Sequence, residues 1–328
     1  MPNFVVINNK INPYNKKIFV DGDKSISIRW ALLASQAIGK SKAINLPESE
    51  DINSTINCLK KLGIKVIKKK EKCEIYGNGI NGFKYKDNIT INAGNSGTCG
   101  RLILGLLVAA KKKVKLIGDE SLSTRDFSRV TLPLIKFGAK ILPSNKQNLP
   151  ISIIGSSFTK PINYIEKIGS AQCKSSVMLA ALNAPGKTII KAKKSRNHTE
   201  LFFRNIKIPI KIKKNGSYDL IEIEGKKNFN SFDYNIPGDI SSSAFFIVLT
   251  LISKNSKLII KNVNVNPTRI GCINILNKMG AGIKIRNKKN YKGEVLGDIF
   301  VKSKKKLKPI NCPTNLNSSA IDEFLIIF

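Results

Sequence analysis

One signal recurs four times along the sequence at nearly even steps, and this repetition limits the fold more than any other feature. A segment rich in Gly, Ser or Asp opens an apolar stretch at Gly22-Asp23-Lys24-Ser25-Ile26-Ser27, at Gly94-Asn95-Ser96-Gly97-Thr98, at Gly169-Ser170-Ala171-Gln172-Cys173-Lys174-Ser175-Ser176 and at Gly238-Asp239-Ile240-Ser241-Ser242-Ser243. The first glycines lie 72, 75 and 69 positions apart. Each opening starts a helix, which is followed by a lysine-flanked strand at residues 42–46, 114–117, 188–191 and 257–260. A second, amphipathic helix then closes on Gly63, Gly138, Pro209 or Gly280 and leads into two more strands, the last at 73–76, 151–154, 220–224 and 298–302. The pattern predicts an α/β protein built from modules of about 70 residues, each helix–strand–helix–strand–strand. In the first helix, read over 29–38, Trp30, Leu33, Ala34, Ala37 and Ile38 fall three or four residues apart, and Gly39 is the expected stop. A fifth opening at Asn317-Ser318-Ser319-Ala320-Ile321-Asp322-Glu323 runs into Phe324-Leu325-Ile326-Ile327-Phe328, so the chain is expected to stop inside a fifth module.

Four modules in 328 residues with 42% hydrophobic content fit two domains and exclude a disordered or collagen-like chain. The longest apolar stretches, 102–110 and 244–252, are shorter than the about 20 residues a bilayer-spanning helix needs, and the N-terminal residues do not follow a signal-peptide pattern. A cytosolic protein is expected. Six cysteines without a Cys-x-x-Cys pair and a single histidine, His198, argue against a zinc site or a disulfide framework. No metal and no cofactor are expected.

The formal net charge of +34 is compatible with a nucleic-acid partner, but its composition favours another explanation. Lysines outnumber arginines 48 to 8 in a chain also rich in Asn and Ile, the residues of AT-rich codons, which reads as a solvated lysine coat. A planar guanidinium grips carboxylate or phosphate through two bonds, which an ammonium cannot do, so the rare arginines carry more information. Helix openings also present unpaired N–H groups and a positive dipole end to anions. These openings collect Lys24, Ser25, Arg29, Gly97, Ser170, Gln172 and Lys174, while Arg125 and Arg196 precede second helices. The set suits a small, multiply anionic substrate. Walker-type nucleotide binding is a poor match, because Lys24-Ser25 lacks the preceding Gly-x-x-x-x-Gly, and no Gly-x-Gly-x-x-Gly opens a helix.

Eight ordered motifs carry a resemblance to one family. They are Gly22-Asp23-Lys24-Ser25-Ile26-Ser27-x-Arg29, Gly94-Asn95-Ser96-Gly97-Thr98, Gly118-Asp119-Glu120-Ser121-Leu122-Ser123-Thr124-Arg125, Gly169-Ser170-Ala171-Gln172-x-Lys174-Ser175, Arg196-Asn197-His198-Thr199-Glu200, Pro237-Gly238-Asp239-x-Ser241-Ser242, Asn266-Pro267-Thr268-Arg269 and Ile321-Asp322-Glu323. From about residue 20 to the last, the chain resembles the 5-enolpyruvylshikimate-3-phosphate synthases, and within them the branch that includes glyphosate-tolerant enzymes. The resemblance implies transfer of the enolpyruvyl group of phosphoenolpyruvate to the 5-hydroxyl of shikimate 3-phosphate with release of phosphate, on the way to chorismate. It implies an α/β, two-domain enolpyruvyl transferase fold of repeated βαβαββ units, here four complete and the start of a fifth out of six. The domains implied are 21–237, and 1–20 plus 238–328, in a monomer.

Position by position, the resemblance makes Lys24 the lysine shared by both substrates. Ser25 and Arg29 become the grip on the shikimate 3-phosphate carboxylate, Ser170, Ala171 and Gln172 its phosphate and ring contacts, and Arg196 a further phosphate ligand. Gly97 and Arg125, again with Gln172, become phosphoenolpyruvate positions. Asp322 becomes the aspartate that holds the reacting hydroxyl and accepts its proton. Lys and Arg then cancel the repulsion between two anions, and the carboxylate helps form the alkoxide.

The sequence departs from the family at Ile28, where Asn or His is usual, and at Asp126, which replaces a common proline and is expected to loosen Arg125. The family's Lys-Glu-x-x-Arg and Asp-His-Arg segments have no counterpart, so little or no turnover is expected of this chain alone. Tolerant members often carry alanine at the position of Gly97, so the full-length enzyme is expected to be inhibited by glyphosate. The nearest alternative is the sister transferase acting on UDP-N-acetylglucosamine, which typically has Lys-Asn in place of Lys24-Ser25; a basic nucleic-acid module is the other. Taken singly, His198 reads as a hydrogen-bonded helix-start residue, Cys99 as a small helix-start residue, and Arg204 and Arg269 as surface or inter-unit contacts.

Overall fold

In the computed structural model, which describes residues 11–144 and 147–328, a strand precedes the first helix of each repeat. Hydropathy patterning did not show it, although the βαβαββ unit implied by the resemblance contains it. The first repeat runs β1 (Asn15–Ile18), α1 (Lys24–Gln36), β2 (Ile38–Ile44), α2 (Glu50–Lys61), β3 (Lys65–Lys69) and β4 (Lys72–Asn78). The second has β5 (Ile89–Asn92), α3 (Gly97–Leu106), β6 (Val114–Ile117), the short α4 (Glu120–Ser123), α5 (Ser128–Lys136), β7 (Lys140–Leu142) and β8 (Ile151–Ile154). The third has β9 (Asn163–Glu166), α6 (Ala171–Ala181), β10 (Lys187–Lys193), α7 (His198–Asn205), β11 (Ile210–Asn215) and β12 (Tyr218–Glu224). The fourth has β13 (Tyr234–Asn235), α8 (Ile240–Ile252), β14 (Lys257–Asn264), α9 (Gly271–Lys278), β15 (Lys284–Tyr291) and β16 (Glu294–Lys302), and α10 (Asn317–Ala320) and α11 (Phe324–Ile327) follow.

Each repeat contributes to a four-stranded sheet with one plan, in the orders β13-β2-β4-β3, β5-β6-β8-β7, β9-β10-β12-β11 and β1-β14-β16-β15. The leading strand is parallel to its neighbour and the other pairs are antiparallel. Two leading strands are exchanged. β1 pairs with β14 of the fourth repeat, from Asn15↔Lys257 to Ile18↔Ile260, and β13 pairs with β2 of the first, at Tyr234↔Ala43 and Asn235↔Ile44. The chain accordingly divides into two compact units, one made of Asp21–Pro237 with Lys292–Glu294, the other of the described residues up to Val20 with Gly238–Tyr291 and Val295–Phe328.

Within the Asp21–Pro237 unit the first helix of each repeat is central. α1 is buried from Ser25 to Gln36, α3 at every position except Arg101, and α6 from Cys173 to Ala181. α3 and α6 approach closely because Gly105 has no side chain: a Cβ there would lie 2.2 Å from the Ser176 carbonyl oxygen. The second helices α2, α5 and α7 bury one face only, as an amphipathic sequence requires.

The helix openings follow the capping rule. Asp23 Oδ1 accepts from the Ile26 amide at 2.9 Å, Ser96 Oγ from Cys99 at 3.3 Å, Ser170 Oγ from Cys173 at 3.2 Å and Asp239 Oδ1 from Ser241 at 2.7 Å. The reading of 29–38 as one helix with Gly39 as its stop needs correction. α1 ends at Gln36, Ile38 already belongs to β2, and Gly39 sits inside that strand at φ +101°, a conformation L side chains rarely adopt. Among the described residues no helix is long and apolar enough to cross a membrane, and no group of three or more His, Cys, Asp or Glu side chains is arranged to hold a metal ion.

Candidate active site

Arg29 anchors the site. It lies on the second turn of α1 and is 4% exposed. Its Nε donates to Thr199 Oγ1 at 2.9 Å, Nη1 to the Ser25 carbonyl oxygen at 3.0 Å and Nη2 to Ser175 Oγ at 3.2 Å, and the two hydroxyls bond each other at 2.7 Å. Five donors and three bonds leave one N–H on each terminal nitrogen. Burial lowers the Arg29 pKa to about 10; Glu200 opposes the shift and Arg196 adds to it. The guanidinium therefore stays charged at neutral pH.

Lys174 does not serve as a free cation beside it, contrary to the sequence reading. It is fully buried, and its Nζ lies 2.6 Å from Glu200 Oε1, so its charge is matched inside the protein. His198, the first residue of α7, is buried too, with Nδ1 2.6 Å from Glu294 Oε1. That agrees with the reading of a hydrogen-bonded helix-start residue.

A second group gathers where α3 meets α6. Gly97 begins α3, and a Cβ on it would lie 2.8 Å from Arg101 Nη1 and 3.3 Å from Arg125 Nη1, so the glycine faces two guanidinium groups. Arg125 Nη2 donates to Asn95 Oδ1 at 2.9 Å and to Ser121 Oγ at 3.3 Å. Arg125, next to the Asp126 that departs from the family, is thus exposed and held by these two bonds. Gln172, on the first turn of α6, accepts from Arg101 Nη1 at 2.9 Å through Oε1 and donates to Thr98 Oγ1 at 3.0 Å through Nε2. Ser170, Ala171 and Gln172 are all partly exposed at this opening. The first two turns of α6 thus carry both Gln172 of the second group and Ser175 of the first.

Lys24 is the exposed first residue of α1, with its Nζ 3.6 Å from Asp51 Oδ2. Arg196 lies two residues before α7 and is partly exposed. Ile28, a departure from the family, is fully buried in the core. Asp322 belongs to the other unit, between α10 and α11, and is half exposed. Arg269 Nη1 donates to Asp322 Oδ2 at 3.2 Å and its Nη2 to Ser241 Oγ at 2.7 Å, and the Ser241 hydroxyl bonds Glu323. Arg269 is only 2% exposed, so it is not a surface arginine, and its bond to Asp322 of the fifth module agrees with the inter-unit alternative. Arg204 is exposed, as expected.

Sequence reasoning gave no site role to Arg101, Ser175 or Thr199, and read Arg269 only as a surface or inter-unit contact. The signal for the two arginines was their scarcity, since Arg101 is the only arginine in α3. The two hydroxyls could be linked to Arg29 only by folding, because they lie 146 and 170 positions away in sequence.

Comparison with known proteins adds to this geometry. The family model for EPSP synthase (3-phosphoshikimate 1-carboxyvinyltransferase) matches residues 8–327. The 3-phosphoshikimate 1-carboxyvinyltransferase of Ruthia magnifica subsp. Calyptogena magnifica is 43% identical over 310 residues, which cover 94% of this chain and 70% of that protein. The protein of the same name from Petrotoga mobilis is 41% identical over 318 residues, covering 95% and 72%. The solved EPSP synthase from Acinetobacter baumannii matches with a TM-score of 0.84 at 34% identity, covering 95% of this chain and 70% of that one.

Proposed function

Since the chain belongs to the EPSP synthase family, we propose that its helix openings hold shikimate 3-phosphate and phosphoenolpyruvate for transfer of the enolpyruvyl group to the 5-hydroxyl, with release of phosphate. Arg29 takes the shikimate 3-phosphate carboxylate with the two N–H groups its protein bonds leave over, and Ser25 supports it. Ser170, Ala171, Gln172 and Arg196 take the phosphate and the ring. Gly97, Arg125 and Gln172 hold phosphoenolpyruvate, and Lys24 serves both substrates. Asp322 accepts the proton of the reacting hydroxyl, and the bond from Arg269 fixes its carboxylate. The cations offset the mutual repulsion of the two substrates, and fixed donors at the developing charge lower the barrier. The enzyme works as a cytoplasmic monomer, a state that sedimentation of the purified chain checks.

The observation that carries this reading is the buried, charged Arg29 with two of its donors unused by protein. Two charge-assisted hydrogen bonds to a carboxylate contribute roughly 3–6 kcal/mol. Calorimetric titration with shikimate 3-phosphate is expected to show one site per chain, weakened at least about 100-fold by Arg29→Met. Affinity is also expected to fall as the pH rises through about 10, where Arg29 gives up its charge. Unchanged affinity in Arg29→Met would overturn the reading, and uptake of UDP-N-acetylglucosamine in place of shikimate 3-phosphate would favour the sister transferase.

A further inference from the structure

Gln172 is an ambiguous ligand for an anion, because its amide carries a donor and an acceptor on neighbouring atoms and can present either. An anion needs the NH2 end; the carbonyl oxygen would repel it. The surroundings of Gln172 remove the ambiguity. Arg101 offers donors only, and its Nη1 lies 2.9 Å from Oε1, so the oxygen must face the guanidinium. The opposite orientation would set the NH2 against Arg101, donor against donor. Nε2 then faces Thr98, whose hydroxyl takes one of its two hydrogens at 3.0 Å. The second hydrogen remains available.

Arg101 is itself held from two sides. Its Nη2 donates to the Asp126 carbonyl oxygen at 3.1 Å, and its guanidinium lies 4.9 Å from the centroid of the fully buried Phe127 ring. The missing side chain at Gly97 leaves room for Nη1, which would otherwise lie 2.8 Å from a Cβ.

We propose that Arg101 is a positioning residue that locks the Gln172 amide with its oxygen turned inward, so that Gln172 meets bound substrate as a hydrogen-bond donor. The proposal rests on the reading of Gln172 as a shikimate 3-phosphate ligand. Asp126 also gains a role, since its backbone carbonyl supports Arg101 whatever side chain the position carries.

A double-mutant cycle read by calorimetric titration with shikimate 3-phosphate tests this, with the full chain and thermal midpoints measured alongside. Arg101→Met is expected to weaken binding about tenfold when Gln172 is present and less than about twofold in a Gln172→Ala background. Arg101→Lys, which also only donates, is expected to restore affinity to within about threefold of the parent chain. An equal loss in both backgrounds would overturn the proposal, because Arg101 would then act without Gln172. If the parent chain binds shikimate 3-phosphate and Gln172→Ala binds it equally well, Gln172 is not a ligand and the proposal falls with that part of the assignment. If the parent chain takes up none, the functional reading itself fails. Should Arg101→Met not fold, Gln172→Glu decides. It keeps an acceptor for Arg101 but places an oxygen where the donor was, so a loss of at least about tenfold at an unchanged thermal midpoint is expected, and parent-like affinity would overturn the lock.

Discussion

The central helices of the Asp21–Pro237 unit and helix α8 occupy the same place in the same module, yet they meet different surroundings. α1, α3 and α6 are buried almost all round. α8 buries Ile240, Ser243, Ala244, Ile247, Thr250 and Leu251, while Phe245 and Ile252 are 61% and 69% exposed. Composition runs the other way. The thoroughly buried α1 contains three serines, an arginine and a glutamine, whereas α8 beyond its opening is apolar on all sides apart from Thr250. Apolar character alone therefore does not secure burial in this fold. Two of the polar groups inside α1 are engaged, Arg29 by three protein bonds and Ser35 by the Leu32 carbonyl, whereas Ser27 Oγ is buried without a partner among the described residues.

Substitutions in the two kinds of helix sharpen the contrast. Leu104 in α3 is fully buried, and Leu104→Ala is expected to lower unfolding free energy in urea by about 2–5 kcal/mol, through lost burial and the cavity left behind. A cost well under about 1 kcal/mol would show that α3 is less tightly packed than the structure indicates. At the other extreme, Phe245→Glu in α8 is expected to change stability by no more than about 0.5 kcal/mol, because the ring is largely in solvent. A loss comparable to that of Leu104→Ala would mean that something covers this face in solution, and the contrast between the units would disappear.

What the sequence disclosed and what it withheld follow the same division between local and long-range causes. The modules were legible because their punctuation is local: Asp23, Ser96, Ser170 and Asp239 cap the helices that their own sequence segments predict. The leading strands were not legible from hydropathy. β5 and β9 have four residues each and β13 two, and β13 is defined by its pairing with β2 nearly 200 positions away. Motif comparison singled out Arg29, Gln172 and Arg125, but Thr199, Arg101 and Asn95, which bond them, lie between 30 and 170 positions away. Lys174 was misread for the same reason, since only the fold brings Glu200 to it. For Arg269 the sequence left a surface and an inter-unit position open, because nothing near it in sequence shows that it is buried against Asp322 and Ser241.

Trp30 is the only tryptophan in the chain and is fully buried in α1, one residue from Arg29. Its fluorescence therefore follows unfolding of the Asp21–Pro237 unit at the proposed anion grip. Urea unfolding read from Trp30, with shikimate 3-phosphate at about 100 times its dissociation constant, is expected to require about 2.7 kcal/mol more than without it, and the gain should fall to about 0.4 kcal/mol or less in Arg29→Met at the same ligand concentration. A transition that does not move with ligand, or that moves equally in Arg29→Met, would contradict the account.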